Sequence, residues 1–178
     1  MSNGRKKQLK PQDVLILLKL ISSKGSAKRN LDLAIELGIS PAEICHGLER
    51  LKASKLIDPT KKKPMKRSLL EFLKYGLKYV FPAELGSLER GIPTAHAEES
   101  IAKKIMTSKG ELSYVWPSQE GKIRGIGLMP LYDSVPEAVK NDPTLHKLLS
   151  LIDVLRVGNI REVKFAEHEL EKEILNDA

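Results

Sequence analysis

Apolar residues between positions 14 and 21 recur at helical spacing. Val14, Leu17, Leu18 and Ile21 share one face, and Leu15, Ile16 and Leu20 widen the stripe beyond it. This predicts a helix with Pro11 in its first turn, buried on two sides and ended by Gly25. A shorter helix runs through Leu31, Leu33, Ala34, Ile35 and Leu37 and stops at Gly38. The next start signal is fuller: Ser40 is an N-cap, Pro41 sits at N1, and Glu43 stands at N3 to complete a capping box. Ile44, Leu48 and Leu51 mark the buried face of that helix, and Leu56-Ile57 is a strand-like exit from it. Ser68 with Glu71 predicts another capped helix, carrying Leu69, Leu70, Phe72, Leu73, Leu77 and Val80, expected to pack on the first helix or across a dimer interface.

The second half changes character. Tyr79-Val80-Phe81-Pro82, Gly86 and Arg90-Gly91-Ile92 are echoed about 35 residues later by Tyr114-Val115-Trp116-Pro117, Gly121 and Arg124-Gly125-Ile126. β-branched and aromatic residues, then a Pro/Gly turn and a return run, predict a duplicated strand–turn–strand unit. Such units either pair into a small sheet or share a surface around Arg90 and Arg124, two residues suited to an acidic ligand or partner. Glu98-Glu99 opens a helix through Ile101, Ile105 and Met106, and Ser134 to Glu137 predicts a short capped helix. Leu145, Leu148, Leu149, Ile152 and Leu155 define a helix from Pro143, and Ile160 to Leu175 a charged one after Gly158.

Charge sharpens the division. The net charge of +7 splits unevenly: residues 1–80 hold 18 Lys and Arg against 7 Asp and Glu, whereas residues 81–178 hold 12 against 16. The basic half suits a polyanion and the acidic half another task. Residues 1–80, with a basic arm of Arg5, Lys6, Lys7 and Lys10, therefore form one expected unit, and residues 81–178 a second, for dimerisation or ligand or partner binding. One cysteine, Cys45, excludes an intramolecular disulfide and fits a reducing cytoplasm. The apolar run Val14–Ile21 is too short to span a bilayer and contains Lys19, so a soluble protein is expected.

Leu33-Ala34-Ile35-Glu36-Leu37-Gly38-Ile39-Ser40-Pro41, followed by Ile44, Leu48-Glu49-Arg50-Leu51 and Leu56-Ile57, resembles the core of winged helix-turn-helix transcription regulators, including the MarR-like and ArsR-like groups. The likeness covers Asn30 to Ile57. It implies an α+β fold, mainly helical: an N-terminal winged helix-turn-helix, followed here by a helical module with short β-hairpins. It also implies that the helix from Pro41 to Lys52 enters a major groove, with Ala42, Glu43, Cys45, His46, Glu49 and Arg50 facing outward. Ser40, Ala42, His46 and Arg50 would then meet DNA.

Two features depart from the family pattern. Lys55 stands where a glycine is usual, and no regular two-stranded wing follows. Instead a proline-bracketed loop carries Lys61, Lys62, Lys63, Lys66 and Arg67, five cations in seven residues placed to neutralise phosphates. The resemblance implies a non-enzymatic, dimeric, cytoplasmic repressor bound to double-stranded DNA. An antitoxin-like or adaptor module with a protein partner is the competing expectation.

Chemistry is sparse. There is no phosphate-cradling glycine motif, and Gly125-Ile126-Gly127 stands alone. His46, His96, His146 and His168 are widely spaced, with no pair at ligand spacing. Cys45 and His46 are adjacent on a helix and do not face each other. No catalytic residue, metal ligand or cofactor is expected.

Overall fold

The computed structural model describes residues 8–105 and 111–176. Pro11 opens α1 (Pro11–Ser22), which is buried continuously from Gln12 through Lys19, as its wide apolar stripe predicts. α2 (Asn30–Leu37) ends at Gly38 with φ of 62°, and α3 (Pro41–Ala53) follows after two residues. The Ser40 hydroxyl accepts from the Glu43 amide at 3.2 Å. The reciprocal half of the predicted capping box does not form, because the Glu43 carboxylate accepts from Arg50, Gln12 and Lys10 instead.

Lys55 takes φ of 58°, a left-handed conformation that costs a side-chain-bearing residue about 1 kcal/mol and glycine almost nothing. Beyond it the chain makes more structure than the loop expected from sequence. Ile57 and Pro64 form an antiparallel bridge, flanked by Met65 N–H to Leu56 O and Asp58 N–H to Lys63 O, both 2.9 Å. The basic residues thus sit at the tip of a minimal hairpin. α4 (Lys66–Tyr75) starts directly after it, three residues earlier than predicted, so Ser68 lies inside the helix and is not its cap. After Gly76, α5 (Leu77–Val80) adds one more turn. The apolar face of α4 packs on the last two helices of the chain rather than on α1.

The duplicated hairpin is not what forms. Tyr79 and Val80 stay in α5, Phe81-Pro82 connect, and Gly86 and Arg90-Gly91-Ile92 of the first copy fall in one long strand, β1 (Leu85–Thr94). The second copy supplies β2 (Tyr114–Pro117) and β3 (Ile123–Leu128). β1 is antiparallel to both, pairing Ile92 with Trp116 and Arg90 with Arg124, so β2 and β3 run parallel and the three strands close into a small barrel. Closure depends on glycine. A Cβ on Gly121 would stand 2.2 Å from the Gly91 carbonyl carbon, and one on Gly91 would stand 2.2 Å from the Trp116 oxygen. The repeated Arg-Gly words of the sequence therefore mark this closure rather than two equivalent hairpins.

A 3-10 turn (Ala95–Ala97) leads to α6 (Glu99–Ala102), shorter than predicted; Met106 lies outside the described residues. α7 (Val135–Ala138) forms where expected, but Ser134 does not cap it: its hydroxyl donates to the Leu37 carbonyl at 2.5 Å, tying α7 to the end of α2. α8 (Pro143–Val157) and α9 (Ile160–Leu175) complete the chain. The fold is α+β with a small sheet, as the pattern predicts.

Buried side chains of α1, α3, α4, α8 and α9 belong to one apolar cluster. α1 packs against both α3 and α8, and Lys19 bridges Glu36 at 2.8 Å and Asp142 at 2.7 Å. Residues from the basic and acidic halves of the sequence therefore share a core. Among the described residues no helix is long and apolar enough to cross a membrane.

Candidate nucleic-acid interface

α3 turns Ala42, Cys45, His46 and Lys52 outward, with 71% of the His46 side chain exposed. Ser40, at the head of the helix, is also exposed. Arg50 corrects the sequence reading. It is only 8% exposed and forks onto Asp13 of α1, Nε to Oδ2 at 2.8 Å and Nη2 to Oδ1 at 2.7 Å, while Nη2 also reaches Glu43. Gly47, one turn back, makes the close approach possible: a Cβ there would lie 2.7 Å from Ile16 Cδ1 and 2.9 Å from Asp13 Oδ1. The Asp13 carboxylate raises the Arg50 guanidinium further above its ordinary range. Arg50 is a strut between α1 and α3, unavailable to a groove.

The hairpin tip is held by one side chain. Asp58 accepts from the Thr60 hydroxyl and, through Oδ1, from the Lys62 and Lys63 amides at 2.9 and 2.8 Å. Those bonds, the Thr60 hydroxyl foremost, hold the Asp58 carboxyl at about 2. With their amides turned inward, Lys62 and Lys63 project their ammonium groups into solvent, with no carboxylate partner among the described residues. Lys61 instead pairs with Glu49 of α3, joining the tip to the helix. Lys66 is half-buried at the start of α4, and Arg67 beside it is exposed. Of the basic N-terminal arm, Arg5, Lys6 and Lys7 lie outside the described residues.

These pieces frame a cleft of about 1430 Å³. One wall is the α1–α2 loop with Lys24, Lys28 and Arg29, the exposed side of α3 with Cys45, His46 and Glu49, and the tip with Lys61–Lys63. The other comes from the far end of the chain: Lys104, Lys147, Lys172, Glu169 and Glu173. Ten Lys or Arg line the cleft against three Glu, an excess of positive charge, although Lys28 and Arg29 are also paired with Glu36 and Asp32 just outside it. Glu169 organises the second wall. Lys104 lies 2.6 Å away, Lys172 3.3 Å and Lys147 3.5 Å. Burial pushes its carboxyl up, but the three ammonium groups outweigh burial and hold it at about 2. No local sequence pattern announces this wall, whose residues come from a turn and two helices distant in the chain.

Arg90 and Arg124 are exposed and directly opposite each other on β1 and β3. Like charges in that position repel, and neither guanidinium has a carboxylate partner among the described residues. Exposed Leu88 and half-buried Ile126 form the neighbouring cross-strand pair.

Among the described residues one group has the makings of a metal site: His96, Glu111 and Glu162, each offering an atom within 4.8 Å of the others. The three come from the 3-10 turn, the approach to β2 and the first turn of α9, so no local spacing announces them. Compared with known proteins, the chain matches no family model, no curated protein and no solved structure.

Proposed function

We propose that this chain is a sequence-specific DNA-binding protein of the winged helix-turn-helix kind, acting in the cytoplasm as a dimeric transcriptional repressor without catalytic activity. The observation that carries this reading is the cation-lined cleft shared by the outward face of α3 and the hairpin tip. Ser40, Ala42 and His46 are the side chains offered to base edges and the adjoining backbone. Lys61, Lys62, Lys63, Lys66 and Arg67 are offered to phosphates, with the hairpin standing where a wing would be. A two-fold DNA site requires two readers, hence the dimer.

The test is a binding comparison between DNA from upstream of the protein's own gene and a scrambled duplex. A preference for the upstream sequence is expected, and His46→Ala should reduce it by about 1–3 kcal/mol, the worth of one base contact, while leaving affinity for scrambled DNA unchanged. Equal affinity for the two duplexes would refute sequence-specific reading.

The exposed Arg90–Arg124 pair beside Leu88 and Ile126 favours a second reading, in which an acidic, apolar segment of a protein partner docks on the barrel and DNA binding is secondary. A stoichiometric partner that survives nuclease and high salt, and is lost on Arg90→Ala with Arg124→Ala, supports that reading.

A further inference from the structure

The His96 imidazole lies in a nearly closed place, and among the described residues no hydrogen bond reaches it. It is 5% exposed, and its Nδ1 points at Glu162 Oε1 across 3.6 Å, too far for a hydrogen bond. The Tyr114 ring packs edge-on against it, with centroids 5.4 Å apart. Glu162 is itself 6% exposed. Its Oε2 accepts from the Asn159 amide at 2.9 Å, which fixes the side chain and leaves Oε1 turned toward His96. The Glu111 carboxylate approaches the same point from the solvent side.

A divalent ion explains this arrangement. Zinc binds imidazole nitrogen and carboxylate oxygen at about 2.0–2.2 Å, which sets neighbouring donors roughly 3.3–3.6 Å apart in a tetrahedron. The 3.6 Å between Nδ1 and Oε1 fits two ligands on one ion. Two carboxylates and a neutral imidazole carry a net negative charge that a dication neutralises, and one borderline nitrogen among oxygens suits zinc better than magnesium.

We propose that His96, Glu111 and Glu162 bind one zinc ion, with water as fourth ligand, and that the ion ties the 3-10 turn after β1, the approach to β2 and the start of α9 together. The role is structural: it clamps the barrel to the last helix.

The test uses the full-length chain freed of metal by a chelator and titrated calorimetrically with zinc, with magnesium in parallel. One zinc per chain is expected, with a rise in Tm on loading and no comparable binding of magnesium. His96→Gln and Glu162→Gln should each weaken zinc binding at least about tenfold. Glu111→Gln should do the same, and because Glu111 is exposed this variant remains informative should the buried ones fail to fold. The proposal is overturned if the wild type takes up no zinc at micromolar concentration. Uptake that Glu111→Gln leaves unchanged, or that disappears instead on Cys45→Ser with His46→Ala, overturns it as well.

Discussion

Replacing Arg50 by alanine is expected to lower folding stability by about 3–5 kcal/mol, as for other buried ion pairs that lose one partner. Asp13 is fully buried, and the guanidinium supplies both of its charge-assisted bonds across to α3. Without Arg50 that buried carboxylate keeps only the Lys10 amide, at 2.9 Å. Glu43 loses a partner in the same step. Arg50→Lys rescues little, because a single ammonium cannot reproduce the fork onto both Asp13 oxygens. Urea denaturation of the two variants against wild type measures this. The same experiment separates two roles for Arg50: a base-reading arginine on an exposed helix face would leave the midpoint almost unmoved.

Asp153→Ala is the second change expected to be severe, again by about 3–5 kcal/mol. The carboxylate of this α8 residue is 1% exposed and ties α8 to both β1 and β2. It accepts from the Thr94 hydroxyl at 2.8 Å, the Trp116 indole at 2.7 Å and Arg156 at 2.8 Å. Arg156 in turn donates to the Phe81 and Pro82 carbonyls at 3.0 Å, fixing the entry to β1. Burial pushes the Asp153 carboxyl up, and the Arg156 charge and the two donors oppose it. Alanine would strand the indole N–H as an unsatisfied buried donor, leave the Thr94 hydroxyl only its longer contact to the Ser150 hydroxyl at 3.3 Å, and release the barrel from α8. A blue-shifted tryptophan emission that turns red in the variant, with a lowered urea midpoint, is the expected signature. An unchanged midpoint would mean that the network contributes nothing to holding the barrel.

What the sequence made legible was local. Gly38 and Ser40-Pro41 mark the α2–α3 turn through signals within three residues of each other, and the structure places both helix ends there. The wide stripe of α1 likewise foretold burial on two sides, because no single face accounts for eight consecutive buried positions. What stayed hidden was set by partners far along the chain. Arg50 has the helical phase of a flank position, and it is Asp13, 37 residues earlier, that takes the fork of its guanidinium inward. The barrel's register could not be read either, since both copies of the Tyr-Val-aromatic-Pro word carry strand-forming residues, yet Tyr79 and Val80 of the first stand in the helical turn that begins at the buried Leu77. The second wall of the cleft depends on Glu169 gathering lysines from a turn and two helices, and the His96 cluster on three separate segments.

The central claim is that the hairpin tip and α3 form a surface for DNA phosphates, and the salt dependence of binding tests it most directly. Fluorescence anisotropy on upstream DNA should be followed across a salt series for wild type and for a variant with Lys61, Lys62 and Lys63 changed to alanine. The predicted wild-type result is affinity that falls steeply with salt, each phosphate contact contributing about 0.9 to the slope of log K against log salt, and a slope shallower by about 2–3 in the variant. No binding at low salt, or equal slopes for the two proteins, would contradict it.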